Sequence, residues 1–236
     1  MYSRTVTDHW FGGVARSDLP APGILRIAVD AALPPNRRLS VLEPIDTGGV
    51  VRLTPGIAAE LGLAAETHIG ADEFAAVVNR AGIVLNGADH VFYFPLAEHA
   101  ALTAAPPSDT VRRLRPDDAA AFAAFEEAAP DDDLDEAFVE LDHWLVYGAF
   151  VSGELVAAAS MYPWTRTRLA DLGVLTLPAF RGRGLARETV RALSADALRQ
   201  GYEPQYRCQL DNHASVALAA SAGLQRFATW DVIAQD

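Results

Sequence analysis

Hydrophobic and polar positions divide this chain into a less regular front and a clearly periodic rear. Over residues 1–48, Pro20, Pro22, Pro34 and Pro35 interrupt the apolar runs, and the stretch is expected to be irregular or weakly structured. Residues 50–53 read as a short strand. Thr54-Pro55 then supplies an N-cap and a proline at the first helical position, opening a helix through Leu61. A second helix is expected over 71–80, followed by strands at 83–85 and 90–94 joined through Asn86-Gly87. These elements make a small α/β unit, closed by the proline-rich stretch 104–109, and a domain boundary is placed near residue 107.

The rear half is easier to read. Residues 110–114 alternate like a strand, Pro116-Asp117-Asp118 starts a helix over 119–129, and 134–141 is a second short helix. Two β-rich stretches, 144–151 and 155–162, flank Ser152-Gly153-Glu154, which fits a tight hairpin, and a strand follows at 169–177. Leu185, Thr189, Leu193 and Ala197 recur at i, i+4 spacing in a helix over 185–200 that stops at Gly201. A strand at 205–210, a helix capped by Asp211-Asn212 and ended at Gly223, and a last strand at 227–234 complete the order. The order β-α-α-β-β-β-α-β-α-β describes a mixed α+β sheet flanked by helices, within the α/β class. Residues 49–60 and 110–121 share a strand, a proline and an Ala-rich helix, which reads either as an internal duplication or as composition alone.

Composition changes this picture by exclusion. All 19 basic residues are arginine, so a Walker-type loop, a pyridoxal Schiff base and a protein-kinase lysine cannot be built in their usual form. The single cysteine, Cys208, rules out an internal disulfide framework and a cysteine-cluster metal site, and suits a reducing compartment. No apolar run is long enough to span a membrane, and the first residues lack a signal-peptide pattern, so the expected location is the cytoplasm. A net charge of −12 argues against nucleic acid or an anionic membrane as partner.

One segment departs from that charge. Residues 166–191 carry six arginines against two acids, and within them lies Arg181-Gly182-Arg183-Gly184-Leu185-Ala186, between a strand and a helix. Glycines there remove the Cβ atoms that would block an approaching anion, and the helix N-terminus offers unpaired N–H groups, so a phosphate-bearing ligand is expected. A dinucleotide fold would require a third glycine and a second parallel repeat, and both are missing.

Arg181-x-x-Gly184-x-Ala186 resembles the Q/R-x-x-G-x-G/A signature of the GNAT superfamily of acetyl-CoA-dependent N-acyltransferases. Asn212-His-Ala-Ser215-Val-Ala-Leu218, running on to Gly223-Leu224, resembles that family's second helix block, with leucine in place of the usual phenylalanine. The resemblance covers about residues 109–234 and implies a GNAT acyltransferase fold over 108–236, behind an N-terminal α/β domain over 1–107 of unassigned role. That first domain would itself be either a degenerate unit of the same kind or something else.

In such a family the strand ahead of the loop splays from its neighbour and pairs with the pantetheine arm, here through Val174, Leu175 and Thr176. The pyrophosphate would lie on the amides of Arg181, Gly182, Arg183, Gly184, Leu185, Ala186 and Arg187, and Asn212 would contact the arm. The implied reaction is direct attack of a primary amine, on a small molecule or a peptide, on the acetyl-CoA thioester.

Two departures bear on the chemistry. Ala219 stands where many relatives place a tyrosine general acid, which leaves Ser215, water or release to protonate the thiolate. Asp171, early on the splayed strand, is the candidate base, or else an acid paired with Arg166 or Arg168. Cys208 reads as packing and His213 as exposed, while His143, Trp144 and Tyr147 fit either an acceptor pocket or the core. Nine acids fall within residues 126–142, suiting either a cationic acceptor or a solvated face. Longer-chain acyl transfer and a non-catalytic acyl-CoA sensor are the alternatives, no metal is expected, and the last strand would be open to pairing in a homodimer.

Overall fold

The computed structural model describes residues 1–12, 14–106, 108–164 and 167–234. In chain order the strands are β1 (Ile24–Val29), β2 (Leu39–Pro44), β3 (Gly49–Leu53), β4 (His68–Gly70), β5 (Asp89–Tyr93), β6 (Val111–Arg113), β7 (Leu145–Val151), β8 (Glu154–Pro163), β9 (Leu169–Thr176), β10 (Glu203–Gln209) and β11 (Gln225–Val232). The helices are α1 (Arg4–Phe11), α2 (Pro55–Leu61), α3 (Ala71–Arg80), α4 (His99–Thr103), α5 (Ala119–Ala128), α6 (Asp131–Ala137), α7 (Leu185–Arg199) and α8 (His213–Ala222).

Contacts group the chain into two compact units, described separately below. One holds residues 7–91, 208–212 and those from 226 onward; the other holds 1–6, 92–207 and 213–225. The grouping therefore differs from a single cut near 107, a residue that itself lies outside the described ones.

The unit around residues 7–91 is more ordered than its prolines suggest. β1 runs parallel to β3 from Leu25↔Gly49 to Val29↔Leu53, and β4 lies antiparallel on the other edge of β1. β2 is antiparallel to β3 and to β11. The expectation of an irregular 1–48 is thus corrected: α1, β1 and β2 fall there, and Pro34 and Pro35 occupy a short turn between strands. Partners far along the chain supply what local propensity lacks. Its core gathers Leu25, Ile27, Val51 and Leu53 of the sheet with Ile57 and Leu61 of α2 and Phe74 and Val78 of α3.

The 83–85 with 90–94 hairpin is also corrected. Leu85 bridges to Ile233, the Asn86 N–H donates to the Val232 carbonyl at 2.9 Å, and the Ala234 N–H donates to the Val84 carbonyl at 2.9 Å. Pairing with β2 along 228–232 likewise takes the edge of the last strand that was expected to be open. Asp236 lies outside the described residues.

In the second unit the strands run β10-β9-β8-β7-β6, with β10 parallel to β9 and every later pair antiparallel. The hairpin turn falls at Ser152-Gly153, both at positive φ, as its sequence predicts. Phe122 and Phe125 of α5 pack with Val146, Ala158, Leu175 and Leu177, while Leu185 of α7 packs with Val111, Ala149, Val156 and Ala157. Ala157, Ala158 and Ala159 are fully buried, and their small side chains leave room for those helices to lie close on the sheet. The short helix expected over 134–141 instead spans Asp131–Ala137 and stops at Phe138, which adopts a left-handed φ of +46°.

Candidate active site

The ladder between β9 and β10 runs from Leu169↔Glu203 to Leu172↔Tyr206 and ends there, although β9 stays paired with β8 as far as Thr176↔Ala157. Residues 173–176 therefore keep one backbone edge without a strand partner among the described pairs, which is the splay expected at Val174, Leu175 and Thr176. Thr176 adds a buried Oγ1 with no hydrogen-bond partner among the described residues.

The chain then makes a single tight turn and enters α7. Gly182 and Gly184 sit at φ +73° and +81°, in the left-handed region that a β-carbon disfavours, and Gly184 is the residue before the helix. Glu188 is the first residue whose N–H closes back on the turn, onto the Gly184 carbonyl at 3.0 Å. The amides of Gly182, Arg183, Gly184, Leu185, Ala186 and Arg187 have no acceptor among the described residues. Six consecutive free donors at the start of a 15-residue helix fit a pyrophosphate group.

The arginines around the turn are partly occupied. The Arg181 Nε donates to the Thr176 carbonyl at 3.1 Å and its Nη2 pairs with Asp133 at 2.6 Å, so this side chain ties the strand, the turn and α6 together. Arg183 donates to the Ala179 carbonyl and lies over the Phe180 ring, and Arg187 is half-exposed at 3.9 Å from Glu188.

Asp171 is 5% exposed and its oxygens are taken. Arg207 donates Nε to both of them at 3.2 Å and Nη2 to Oδ2 at 2.5 Å, the Gln205 amide donates to Oδ1 at 3.0 Å, and the Tyr162 hydroxyl donates to Oδ2 at 3.3 Å. Gln205 accepts in turn from the buried Tyr93 hydroxyl. Arg207, absent from the sequence reading, is thus the partner of Asp171. Arg168 lies over the Tyr202 ring instead, and Arg166 is outside the described residues. Only the parallel register Asp171↔Gln205 brings these groups together, and no local signal carries that register.

Beside the splay, a β-carbon on Gly173 would fall 1.8 Å from the Ala137 carbonyl oxygen, so the end of α6 rests directly on β9. Phe138, His143 and Tyr162 cluster there, with ring centroids 5.0 to 5.7 Å apart. His143 Nδ1 lies 2.7 Å from the Ser160 hydroxyl and Nε2 lies 3.7 Å from Glu140. Burial pushes this imidazole below its usual pKa, against the opposite pull of Glu140 and Asp142. Trp144 and Tyr147 turn elsewhere: Trp144 packs on Tyr202, and the Tyr147 hydroxyl donates to Asp196 of α7 at 3.0 Å.

Ser215 is half-buried on the first turn of α8, while Ala219 is fully buried, leaving no space for a phenol without rearrangement. Asn212 is half-exposed and donates its N–H to the Gln209 carbonyl at 3.1 Å, just before α8. Burial, with Asp89 nearby, raises the Cys208 thiol to about 11, so it is inert packing. The acids of 126–142 are mostly exposed, and Asp131, Asp132 and Asp133 form the first turn of α6. Among the described residues no group of three or more potential ligands could hold a metal.

Comparison with known proteins agrees with this arrangement. An acetyltransferase of the GNAT family from Colwellia psychrerythraea superposes with a TM-score of 0.50 at 16% identity, covering 78% of this chain and 76% of its own. A GCN5-related N-acetyltransferase from Sphaerobacter thermophilus gives 0.46 at 17%, covering 70% and 56%. At 16% identity the likeness to the Colwellia protein is one of fold alone. No curated protein matches this sequence. The acetyltransferase (GNAT) family profile matches residues 111–224, the stretch that carries the splayed strand, the glycine turn and both flanking helices, and this part of the chain belongs to that family.

Proposed function

We propose that this protein transfers an acetyl group from acetyl-CoA to the primary amine of a small molecule or peptide, by direct attack on the thioester. The observation that carries the reading is the run of six unpaired amides at 182–187, directly after a strand whose free edge ends in the orphaned Thr176 hydroxyl. Those amides, with Arg183 and Arg187, would hold the pyrophosphate, and Val174, Leu175 and Thr176 would align the pantetheine arm. When bound, acetyl-CoA supplies the activated acyl carbon.

The amine must lose a proton before it attacks, and the departing thiolate must gain one. Because five donor contacts already occupy Asp171, its role is to tie β9 to β10 where their ladder ends, as a positioning residue. His143, packed with Phe138 and Tyr162 beside the splay and pushed below its usual pKa by burial, is the group suited to take the ammonium proton. Ser215 is the candidate donor to the thiolate in place of the absent tyrosine. The exposed acids of α5 and α6 favour a cationic acceptor by attraction at long range.

Calorimetry with acetyl-CoA, followed by thiol release over a panel of charged and neutral amines, tests the reading. Saturable binding with amine-dependent thiol release is expected, faster for cationic amines at low salt. Absence of acetyl-CoA binding would sink it. Binding without turnover on any amine would favour the sensor, a reading that the buried Ala219 supports. Faster turnover of butyryl- or longer acyl-CoA would move the assignment to a longer-chain acyltransferase.

A further inference from the structure

The unit around residues 7–91 holds a cavity of about 370 Å³ that the acetyl-transfer reading leaves without a role. Its size falls in the range of small-molecule sites, roughly 300 to 1,000 Å³. Leu25 and Val41 of the sheet form the floor, and Phe74 and Val78 of α3 form one wall. The rim includes Val84, 67% exposed, on the segment 83–86 that is clipped to the chain's end through Leu85↔Ile233 and two backbone hydrogen bonds. The rim is therefore fixed in place before any ligand arrives.

The polar side of the cavity has one sign. Glu43 on β2 faces Thr229 across the β2–β11 pair, and Asp231 faces Val41, so both carboxylates stand on the lining face, two residues out of step. That diagonal spacing is roughly 7–8 Å between backbones, within reach of one small cationic head. Asp231 accepts from its own neighbour's N–H, Val232, at 2.8 Å and from the Gly87 backbone, while Glu43 is exposed. Among the described residues neither has a cationic partner. Burial pushes the Asp231 carboxyl above its usual pKa, as an acid beside apolar walls without a counter-ion should be. Two like charges at the mouth repel phosphates and carboxylates, whereas an ammonium with an apolar body satisfies walls and carboxylates together.

We propose that this cavity binds a small organic ammonium ion, its apolar body between α3 and the sheet and its positive head between Glu43 and Asp231, as a ligand site separate from acetyl transfer. The inference rests on residues outside 111–224 and stands or falls independently of the transferase reading.

The probe is benzyltrimethylammonium, which has no N–H and no lone pair and so cannot be acetylated. It is titrated into the full chain by two-dimensional NMR, alongside benzyl alcohol and phenylacetate, with and without saturating acetyl-CoA. Saturable shifts at Phe74, Val78, Val84 and Leu85 are expected for the cation, with at least about tenfold weaker response to the alcohol and none to phenylacetate. The tenfold corresponds to about 1.4 kcal/mol. Glu43→Gln with Asp231→Asn should remove that preference while leaving the alcohol response and the melting temperature in place, since Asn keeps the acceptor for the Val232 N–H. Equal response to cation and alcohol, an undiminished cation response in the double variant, unsaturable shifts spread over the acidic surface, or shifts at Phe138 and His143 in place of the cavity residues would each overturn the proposal.

Discussion

Replacing Asp171 by asparagine separates an anchoring role from that of a general base. In the folded chain Asp171 meets Arg207 through three contacts of 2.5 to 3.2 Å, with side chains only 7% and 23% exposed. Asparagine keeps one acceptor oxygen but turns a donor amide toward the guanidinium, leaving Arg207 without its counter-charge. Removing one partner of a buried pair costs about 3–5 kcal/mol, and the residual exposure of Arg207 places this case near the lower end, about 3 kcal/mol. At about 2–4 °C per kcal/mol for a chain of this size, the melting temperature should drop by about 6–12 °C. A base with no structural role would behave oppositely, losing about 10²- to 10⁴-fold in kcat at an unchanged melting temperature. Scanning calorimetry beside thiol-release kinetics gives both numbers. Asp171→Leu with Arg207→Met should recover only part of the stability, because the apolar pair avoids the unpaired charge but leaves the Gln205 amide and the Tyr162 hydroxyl without their acceptor. A stable D171N protein with activity lost, or a double variant no more stable than the single, would refute the argument.

Three further outcomes follow from particular contacts. Gly184→Ala forces a left-handed φ on a residue with a β-carbon 3.3 Å from Arg187 Nη2, at about 1–2 kcal/mol, and should weaken acetyl-CoA binding about tenfold by calorimetry; unchanged affinity would remove the turn from the donor site. Gly173→Ala must displace the end of α6, because its β-carbon would fall 1.8 Å from the Ala137 carbonyl oxygen; the amine KM should rise while acetyl-CoA affinity holds, and equal effects on both would place α6 away from the acceptor. His9, pushed down to about 4 by burial and by Arg52 and Arg37, stays unprotonated in the fold but takes up a proton near 6.5 when unfolded. Its contribution is therefore full above pH 6.5 and is lost as pH falls toward 4. Urea unfolding should show about 2 kcal/mol less stability at pH 5 than at pH 7.5, a slope that His9→Gln flattens; an equal slope in the variant would assign the loss to other groups.

Elements whose signal lies within a few neighbouring residues were readable from sequence. Thr54-Pro55 opens α2, Ser152-Gly153 turns the β7–β8 hairpin, and Gly182 and Gly184 mark the turn into α7, because φ restriction and end-capping act locally. Prolines in the first 48 residues misled for the converse reason: they punctuate strands whose hydrogen bonds come from β3 and from β11. Segment 83–86 failed as a hairpin because its partner is the far end of the chain.

The candidate site divides along the same line. Free amides at a glycine-rich helix start depend on consecutive residues, so the residue types alone marked the turn whose amides the fold leaves unpaired. Sequence by itself therefore determined the fold class of the rear domain, the glycine turn into α7 and the alanine at position 219. Tertiary structure alone decided that Asp171 answers to Arg207, that His143 stands by the splay while Tyr147 turns to α7, and that Glu43 and Asp231 share one cavity. Those relations depend on strand register and helix docking between residues distant in sequence, and only the packing energy of the whole fold selects a register.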